Sequence, residues 1–544
     1  FVAYLNRGRV ELGLTPIGAI LLPVAFLVVY FVDPFDVIFE CGCLLLGFSG
    51  ALFFVPLNGF LQDQAGEAER GRILAASNLL TQLSSIALII LHALLSNFLG
   101  LSAKQEILFM CVPACLIAVL TFKFLMEDFF RALFHMGLRI FYRIKIVGME
   151  NFPLKGGVLL VSNHLSYADP VFIGAVFPRK IRYLAYSGLA NSRIMRKVFE
   201  LTKTVTVSPD RSLESIKTSV NRLKKGTPLC VFAEGGISRL GTIFSFKRGV
   251  LLLAKQAKVP ILPVHLDGVW GSIFSMERGK FFQKWPISFP YRVTVRVGNI
   301  IDATHADREN VRSEVLELAR LSFTERLPRV EQIQNFIQES FRRSTESESF
   351  SFDNGLSLTR REMAKFLTSG NEMESLPKEF NRSMNSMLAL FQEVDGCSKI
   401  WASYLRIRET HLWDQTGFKV EVDQYLKHEW IFWAAFLGGF KVKCSSGFLI
   451  IQNPQRRGLD NLQVINGVST DRNGLISLNF RSIAELKGEF DELERGHKIN
   501  TFGRLLPGLS YKPEPEFGVI GSDGKIDQID FVEGIDAEGF LVPK

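Results

Sequence analysis

Four long apolar runs open the chain, at about residues 15–32, 39–57, 73–95 and 106–125. Each has roughly the 17–25 residues a helix needs to cross a bilayer, so each is predicted as a membrane span. The charges between them alternate. Arg7 and Arg9 precede the first run, Arg70 and Arg72 lie between the second and third, and Arg131, Arg139, Arg143 and Lys145 follow the fourth. Of the two other loops, one carries Asp33 and Asp36, and the other has Lys104 as its basic residue. By the positive-inside rule both ends of residues 1–128 are then cytoplasmic. Buried core helices also show apolar runs, but four in succession with this alternation point to the membrane. Residues 129–150 interleave Phe129, Phe130, Leu133, Phe134, Leu138, Ile140 and Phe141 with the basic side chains. That pattern fits an amphipathic segment at an anionic headgroup surface. It fits equally a linker helix packed on the next domain.

Past residue 150 the pattern shortens. Gly157–Ser162, Pro228–Phe232 and Val259–His265 are brief, β-rich apolar runs and read as core strands. Asp169-Pro170 opens a helical stretch, Val171 to Phe177. The first strand ends at Asn163-His164, so His164 falls at a strand's carboxyl end, where α/β folds build their sites. Beyond about residue 345 the signal thins. Ser344–Ser351 is predicted to be a polar linker, and residues 352–544 read only as mixed α/β.

Composition narrows the partners. The 544 residues leave room for about three domains. A hydrophobic share of 47% and a mean hydropathy of +0.17 are high for a soluble protein, and the excess sits in the first stretch. Seven cysteines are scattered with no paired spacing beyond Cys41-x-Cys43, which indicates neither a disulfide framework nor a zinc site. A net charge of +8, with a pI near 9.0, suits nucleic acid or an anionic membrane. No nucleic-acid motif is present, so the membrane is the expected partner.

The chemistry starts at His164 and Asp169, five positions apart. An imidazole that titrates near neutrality can take a proton from a hydroxyl, and a nearby carboxylate fixes its tautomer and stabilises the resulting cation. A surface loop with one histidine and one aspartate would show the same letters. The weight comes from three blocks further along the chain. They are Ala233-Glu234-Gly235-Gly236-Ile237-Ser238-Arg239, Phe246-Lys247-Arg248-Gly249 and Val259-Pro260-Ile261-Leu262-Pro263.

With these blocks the sequence resembles the glycerolipid acyltransferase family, over about residues 130–325. Asn163, His164, Ser166 and Asp169 match its NHxSxxD block. Glu234-Gly235 match its FPEGTRS block, and Val259-Pro260 through Pro263 match its VPxxP block. Pro209-Asp210-Arg211 looks like the block that ends in arginine. The finer likeness is to the bacterial acyl-[acyl-carrier-protein]–phospholipid O-acyltransferases, where the glutamate block runs on as EGxIS to a FKRG. His265 through Ser275 also looks like that branch. Ala233 stands where the wider family has proline, and Ile237 where relatives carry a phosphate-binding arginine. Arg211, Arg239, Lys247 and Arg248 remain as candidate phosphate partners, since guanidinium groups suit bidentate phosphate contact. Each could equally be a solvated surface charge.

The first four spans are similar to the last helices of the major-facilitator lysophospholipid transporters often fused ahead of this branch. Arg7–Leu14 and Glu69–Arg72 look like its cytoplasmic loops. A full transporter needs both helical halves around a midplane site. The chain begins at Phe1 with only part of that set, so it is expected to be a fragment or an anchor, and not to transport by itself. At the other end Thr470-Asp471, Leu475–Asn479, Gly503–Gly508 and Ile535–Phe540 resemble an adenylate-forming acyl-carrier-protein ligase. Its phosphate-cradling loop is missing, since Cys444-Ser445-Ser446-Gly447 is too short to replace it. Residues 352–544 are therefore expected to be an inactive remnant, and deleting residues 345–544 is expected to leave acyl transfer measurable with lower stability.

Taken together, the expected fold is multidomain. A four-helix transmembrane segment (1–128) leads to an α/β acyltransferase domain (129–330), a linker (331–351) and a divergent mixed α/β C-terminal region (352–544). The resemblance implies a multi-pass inner-membrane enzyme with a cytoplasmic catalytic domain. It would move an acyl group from acyl-carrier protein or acyl-CoA to a lysophospholipid or acylglycerol phosphate. His164 and Asp169 would be catalytic. Asn163, Ser166, Arg211, Glu234, Gly235, Gly236, Ser238, Arg239, Lys247, Arg248 and Pro263 would bind substrate. No metal or organic cofactor is implied, because the thioester is already activated. Two other readings stay open: a transporter-derived protein whose acyltransferase domain only binds lysolipid, and a bifunctional ligase and acyltransferase.

Overall fold

The computed structural model describes residues 11–328 except 66–68, 209–211, 248 and 276–289. Beyond 328 it describes the elements named below and scattered residues between them. The chain divides into two compact units. One takes Phe1–Phe141 with Gly174–Pro178 and Gly188–Thr204, and the other takes the rest.

Up to Phe141 the described residues of the first unit form helices α1 (Leu14–Phe31), α2 (Val37–Gln64), α3 (Arg70–Asn97) and α4 (Ala103–Phe141). All four are long and apolar enough to cross a membrane. Helix α1 packs on α2 and α4. Gly18 permits the closer contact, since a Cβ there would lie 2.6 Å from the Ser49 carbonyl oxygen of α2. Small residues at such crossings let apolar helices approach closely where lipid supplies no hydrophobic drive between them. Along α3 the large apolar side chains Leu79, Leu80, Ile86, Leu88, Ile89 and Ile90 are all exposed. A helix apolar on every side in this way has the composition of one solvated by a bilayer. The fourth is interrupted by a kink at Leu125, whose backbone is non-helical, close to where the fourth apolar run ends. A helical segment continues from the kink to Phe141, so most of the connecting segment 129–150 is helix.

The second unit is built first on a seven-stranded mixed sheet, in the order β1-β7-β6-β2-β5-β3-β4. Its strands are β1 (Tyr142–Val147), β2 (Leu159–Ser162), β3 (Arg182–Tyr186), β4 (Val205–Val207), β5 (Leu229–Phe232), β6 (Ile261–Asp267) and β7 (Tyr291–Val297). All its pairings are parallel except that of β6 with β7. Along the chain, helices α5 (Asp169–Val176), α6 (Arg193–Thr202, counted with the first unit), α7 (Ser212–Lys224) and α8 (Gly249–Ala257) fall between strands, and α9 (Arg308–Arg326) follows β7. The central strands β2 and β6 are buried along their whole length, which is why they read as unbroken apolar runs.

The same unit continues through the C-terminal region. Strands β8 (Glu348–Phe352), β9 (Ser357–Thr359), β10 (Gly417–Glu421), β11 (Lys441–Ser445), β12 (Phe448–Gln452), β13 (Gln463–Thr470), β14 (Gly474–Asn479) and β15 (Arg504–Leu505) form one sheet. It is ordered β15-β14-β13-β10-β12-β11-β8-β9, and helix α10 (Val394–Arg408) packs on β14. A further small sheet joins β16 (Ser510–Lys512), β17 (Gly518–Ile520) and β18 (Ile526–Gln528). The expected linker ends in a strand: Phe350 pairs with Val442 of β11. Residues 344–347 lie outside the described residues. Leu240, Phe244 and Leu316 share one apolar core with Ile400, Val420, Leu475 and Leu505. The two halves of this unit are thus held by a common interior.

Candidate active site

Strand β2 delivers Asn163 and His164 to the carboxyl edge of the seven-stranded sheet. Asn163 is buried between the ends of β2 and β6. Its Nδ2 donates to the Leu266 carbonyl (3.1 Å) and its Oδ1 accepts from the Leu266 N–H (2.8 Å). The chain then turns back on Asp169, the first residue of α5. Oδ2 of Asp169 accepts from the N–H groups of Leu165 (2.7 Å) and Ser166 (2.9 Å), and pairs with Nδ1 of His164 at 2.8 Å. Ser166 Oγ donates to Oδ1 (3.0 Å) and accepts from the Ala168 N–H (3.0 Å). The carboxylate is wholly buried and sits at a helix N-terminus, where negative charge is favoured.

A carboxylate can only accept, so Nδ1 carries the proton and Nε2 keeps its lone pair. The imidazole stacks on the ring of Phe232, the last residue of β5, with centroids 4.0 Å apart and planes 16° from parallel. Its side chain is 16% exposed. The imidazole is therefore fixed at one edge, supported on one face, and reachable.

A second carboxylate holds the same histidine from its main chain. Glu234 is buried, and its Oε1 accepts from the His164 N–H (2.8 Å) while Oε2 accepts from the Phe244 N–H (2.8 Å). Burial pushes this carboxyl up to about 8, against the pull of those two N–H groups and of Arg312. The His164 carbonyl is held too, by the Ser238 N–H at 2.8 Å. Ser238 is buried and its Oγ donates to the Thr242 carbonyl (2.8 Å).

Gly235 and Gly236 are exposed in the turn between these contacts. Gly235 has φ +80°, and a Cβ there would meet the side-chain carbons of Lys247 at 3.2 Å. The Lys247 N–H donates to the Ala233 carbonyl (2.8 Å), which folds its exposed side chain across the turn. Arg239 is half-buried nearby in sequence, and Pro263 is buried within β6 beside Val161. Arg211 and Arg248 lie outside the described residues. Among the described residues no three His, Cys, Asp or Glu side chains are grouped so as to hold a metal ion.

Two residues of the site escaped the sequence reading. Phe232 could have been found, since the β2–β5 register pairs Ser162 with Phe232 and places it beside the next strand's end. Phe244 carried no such signal, because its part depends on a loop closing back on Glu234. His265 is a different case. It is buried on β6, and burial, with Arg326 and Arg296 close by, pushes it down to about 3 and keeps it neutral.

Residues 143–267 match the family model described as Acyltransferase. A probable 1-acyl-sn-glycerol-3-phosphate acyltransferase of Mycoplasma pneumoniae is 30% identical over 187 residues, which is 32% of this chain and 68% of that one. The 1-acyl-sn-glycerol-3-phosphate acyltransferase of Saccharomyces cerevisiae is 31% identical over 158 residues, covering 28% of this chain and 52% of that one. The Bacillus subtilis protein of the same name is 24% identical over 139 residues, covering 25% and 69%.

Proposed function

The chain belongs to the acyltransferase family and is an acyltransferase, and from that premise we propose that it is a membrane-bound enzyme acting on lysolipids. It moves a fatty acyl group from a thioester, on acyl-carrier protein or coenzyme A, to the free hydroxyl of an acylglycerol phosphate or lysophospholipid. The observation that carries this reading is the 2.8 Å pairing of Asp169 with Nδ1 of a reachable His164. Nε2 takes the hydroxyl proton as the oxygen attacks the thioester carbonyl. The tetrahedral adduct then collapses with cleavage of the C–S bond, and the imidazolium returns the proton to the departing thiolate. Asp169 stabilises the imidazolium between these steps. No acyl-enzyme is needed.

In this reading Asn163, Ser166, Glu234 and Ser238 position the base, since their polar groups are engaged inside the protein. Gly235 and Gly236 leave the turn open to the acceptor. Lys247 and Arg239 take the headgroup phosphate, with Arg211 and Arg248 as further candidates from the sequence. The four apolar helices serve as the anchor. The likeness of the first four helices to the last helices of a transporter, and of the C-terminal region to a ligase, carries no activity in this reading.

The test is a panel. The purified chain, in detergent or vesicles, is offered labelled acyl-CoA or acyl-carrier protein with acylglycerol phosphate and lysophospholipids. Ester formation without ATP is expected, and Lys247→Ala should raise the KM for phosphate-bearing acceptors several-fold with little change in kcat. Transfer to no hydroxyl acceptor, or activity only with ATP and free fatty acid, would overturn the reading.

A further inference from the structure

Residues 233–246 have two sides. One side holds the main chain of His164, through Glu234 at its N–H and Ser238 at its carbonyl. The other side is held by the C-terminal region. Leu240 and Phe244 are buried in an apolar core made chiefly of residues beyond 330. The guanidinium of Arg504 lies 4.8 Å from the ring centre of Phe244 and 4.3 Å from that of Phe540. Arg504 is itself buried in β15. Arg312 of α9 donates to the carbonyls of Phe244 (3.2 Å) and Ile243 (3.4 Å), and to the hydroxyl of Tyr511 (3.3 Å). That hydroxyl donates on to Glu309 (2.7 Å). At Gly241 a Cβ would fall 1.9 Å from the Glu409 carbonyl oxygen, so the two segments touch backbone to backbone.

The links form one continuous path. Arg504 fixes the ring of Phe244, the Phe244 N–H fixes one oxygen of Glu234, and the other oxygen fixes the His164 N–H. We propose that Arg504 is a positioning residue for His164, and that the C-terminal region is a working part of the catalytic fold. Its ligase-like motifs lack a phosphate loop, which predicts an inactive remnant from sequence alone. The motif arginine has instead become a cation seated between two aromatic faces, a contact that gains strength when desolvated. The inference rests on the reading of His164 as the base. Small displacements of such a group are costly, since about 1 Å of misplacement can lower a rate on the order of 100-fold.

The experiment compares Arg504→Gln, Arg504→Lys and Ile451→Ala in the full chain. Ile451 is buried in the same C-terminal core, on β12, four strands along from β15. Its truncation weakens that core without touching the path. Two readouts are taken well below the melting temperature: kcat and KM for acyl transfer, and hydrogen exchange in peptides covering 163–169 and 234–246. Arg504→Gln should lower kcat about tenfold or more with both KM values nearly unchanged, and should speed exchange in those two peptides. Arg504→Lys should recover most of both, and Ile451→Ala should lower Tm while moving neither. Should Arg504→Gln fail to fold, Phe244→Leu breaks the same link with the backbone intact. Equal behaviour of the Arg504 and Ile451 variants in kcat and exchange would overturn the proposal. The exchange arm needs no turnover, so a wild-type chain that moves no acyl group sinks the functional reading while protection still decides the coupling.

Discussion

Glu234 meets two main-chain N–H donors inside a buried pocket, and its behaviour with pH follows from that balance. Burial disfavours the charge more than the donors and Arg312 favour it, so the carboxyl is pushed from an ordinary 4.5 up to about 8. A folded value above the unfolded one means that the native state binds the proton more tightly. The stability this contributes is fully present below about pH 4.5 and is lost as pH rises through about 8. Glu234→Gln has no proton to lose. Thermal unfolding of wild type and Glu234→Gln at pH 5, 6.5 and 8 should show wild type losing its margin with pH, by up to ~1.4 kcal/mol per unit. A margin that stays constant across that range would contradict the burial argument. At this scale the pairing of His164 with Asp169 was legible, because their five-residue spacing is local and the turn closes on itself. Glu234 was legible as a site residue but not as a clamp, since its partners are main-chain N–H groups that no residue identity announces.

At the scale of elements, the long apolar helices and the core strands were readable wherever the surroundings act on composition. The four helices answer to the four apolar runs, each long and apolar enough to cross a membrane. A sheet covered on both faces requires continuous apolar strands, and β2, β5 and β6 lie at the expected places. Helix α4 kinks at Leu125, close to the end of the fourth apolar run, and continues as helix to Phe141. An element that depends on distant chain was not legible. Strand β8 looked like a linker because Ser and Glu dominate it, yet its pairing partner β11 lies about ninety residues further on. Phe350 and Phe352 alternate there with polar residues, which is a strand period hidden in a polar stretch.

For the whole molecule, the shared core revises what truncation should do. A chain ending at residue 344 would uncover Leu240, Phe244 and Leu316, along with Arg312. Exposing three large apolar side chains costs roughly 5–9 kcal/mol at about 1.5–3 each, as much as many domains possess. The truncated chain should therefore aggregate or unfold well below the wild-type Tm in detergent. A truncated protein with wild-type Tm would show that the two halves fold independently. The central claim, however, is chemical. Its most direct measurement is the initial rate of ester formation from labelled acyl-CoA or acyl-carrier protein and an acylglycerol phosphate, for wild type and His164→Ala at equal folded concentration. The account predicts a loss on the order of 10²–10⁴ in kcat from a chain that still folds, because the base is gone while the Leu165 and Ser166 N–H groups still hold Asp169. Turnover by His164→Ala at the wild-type rate would contradict it.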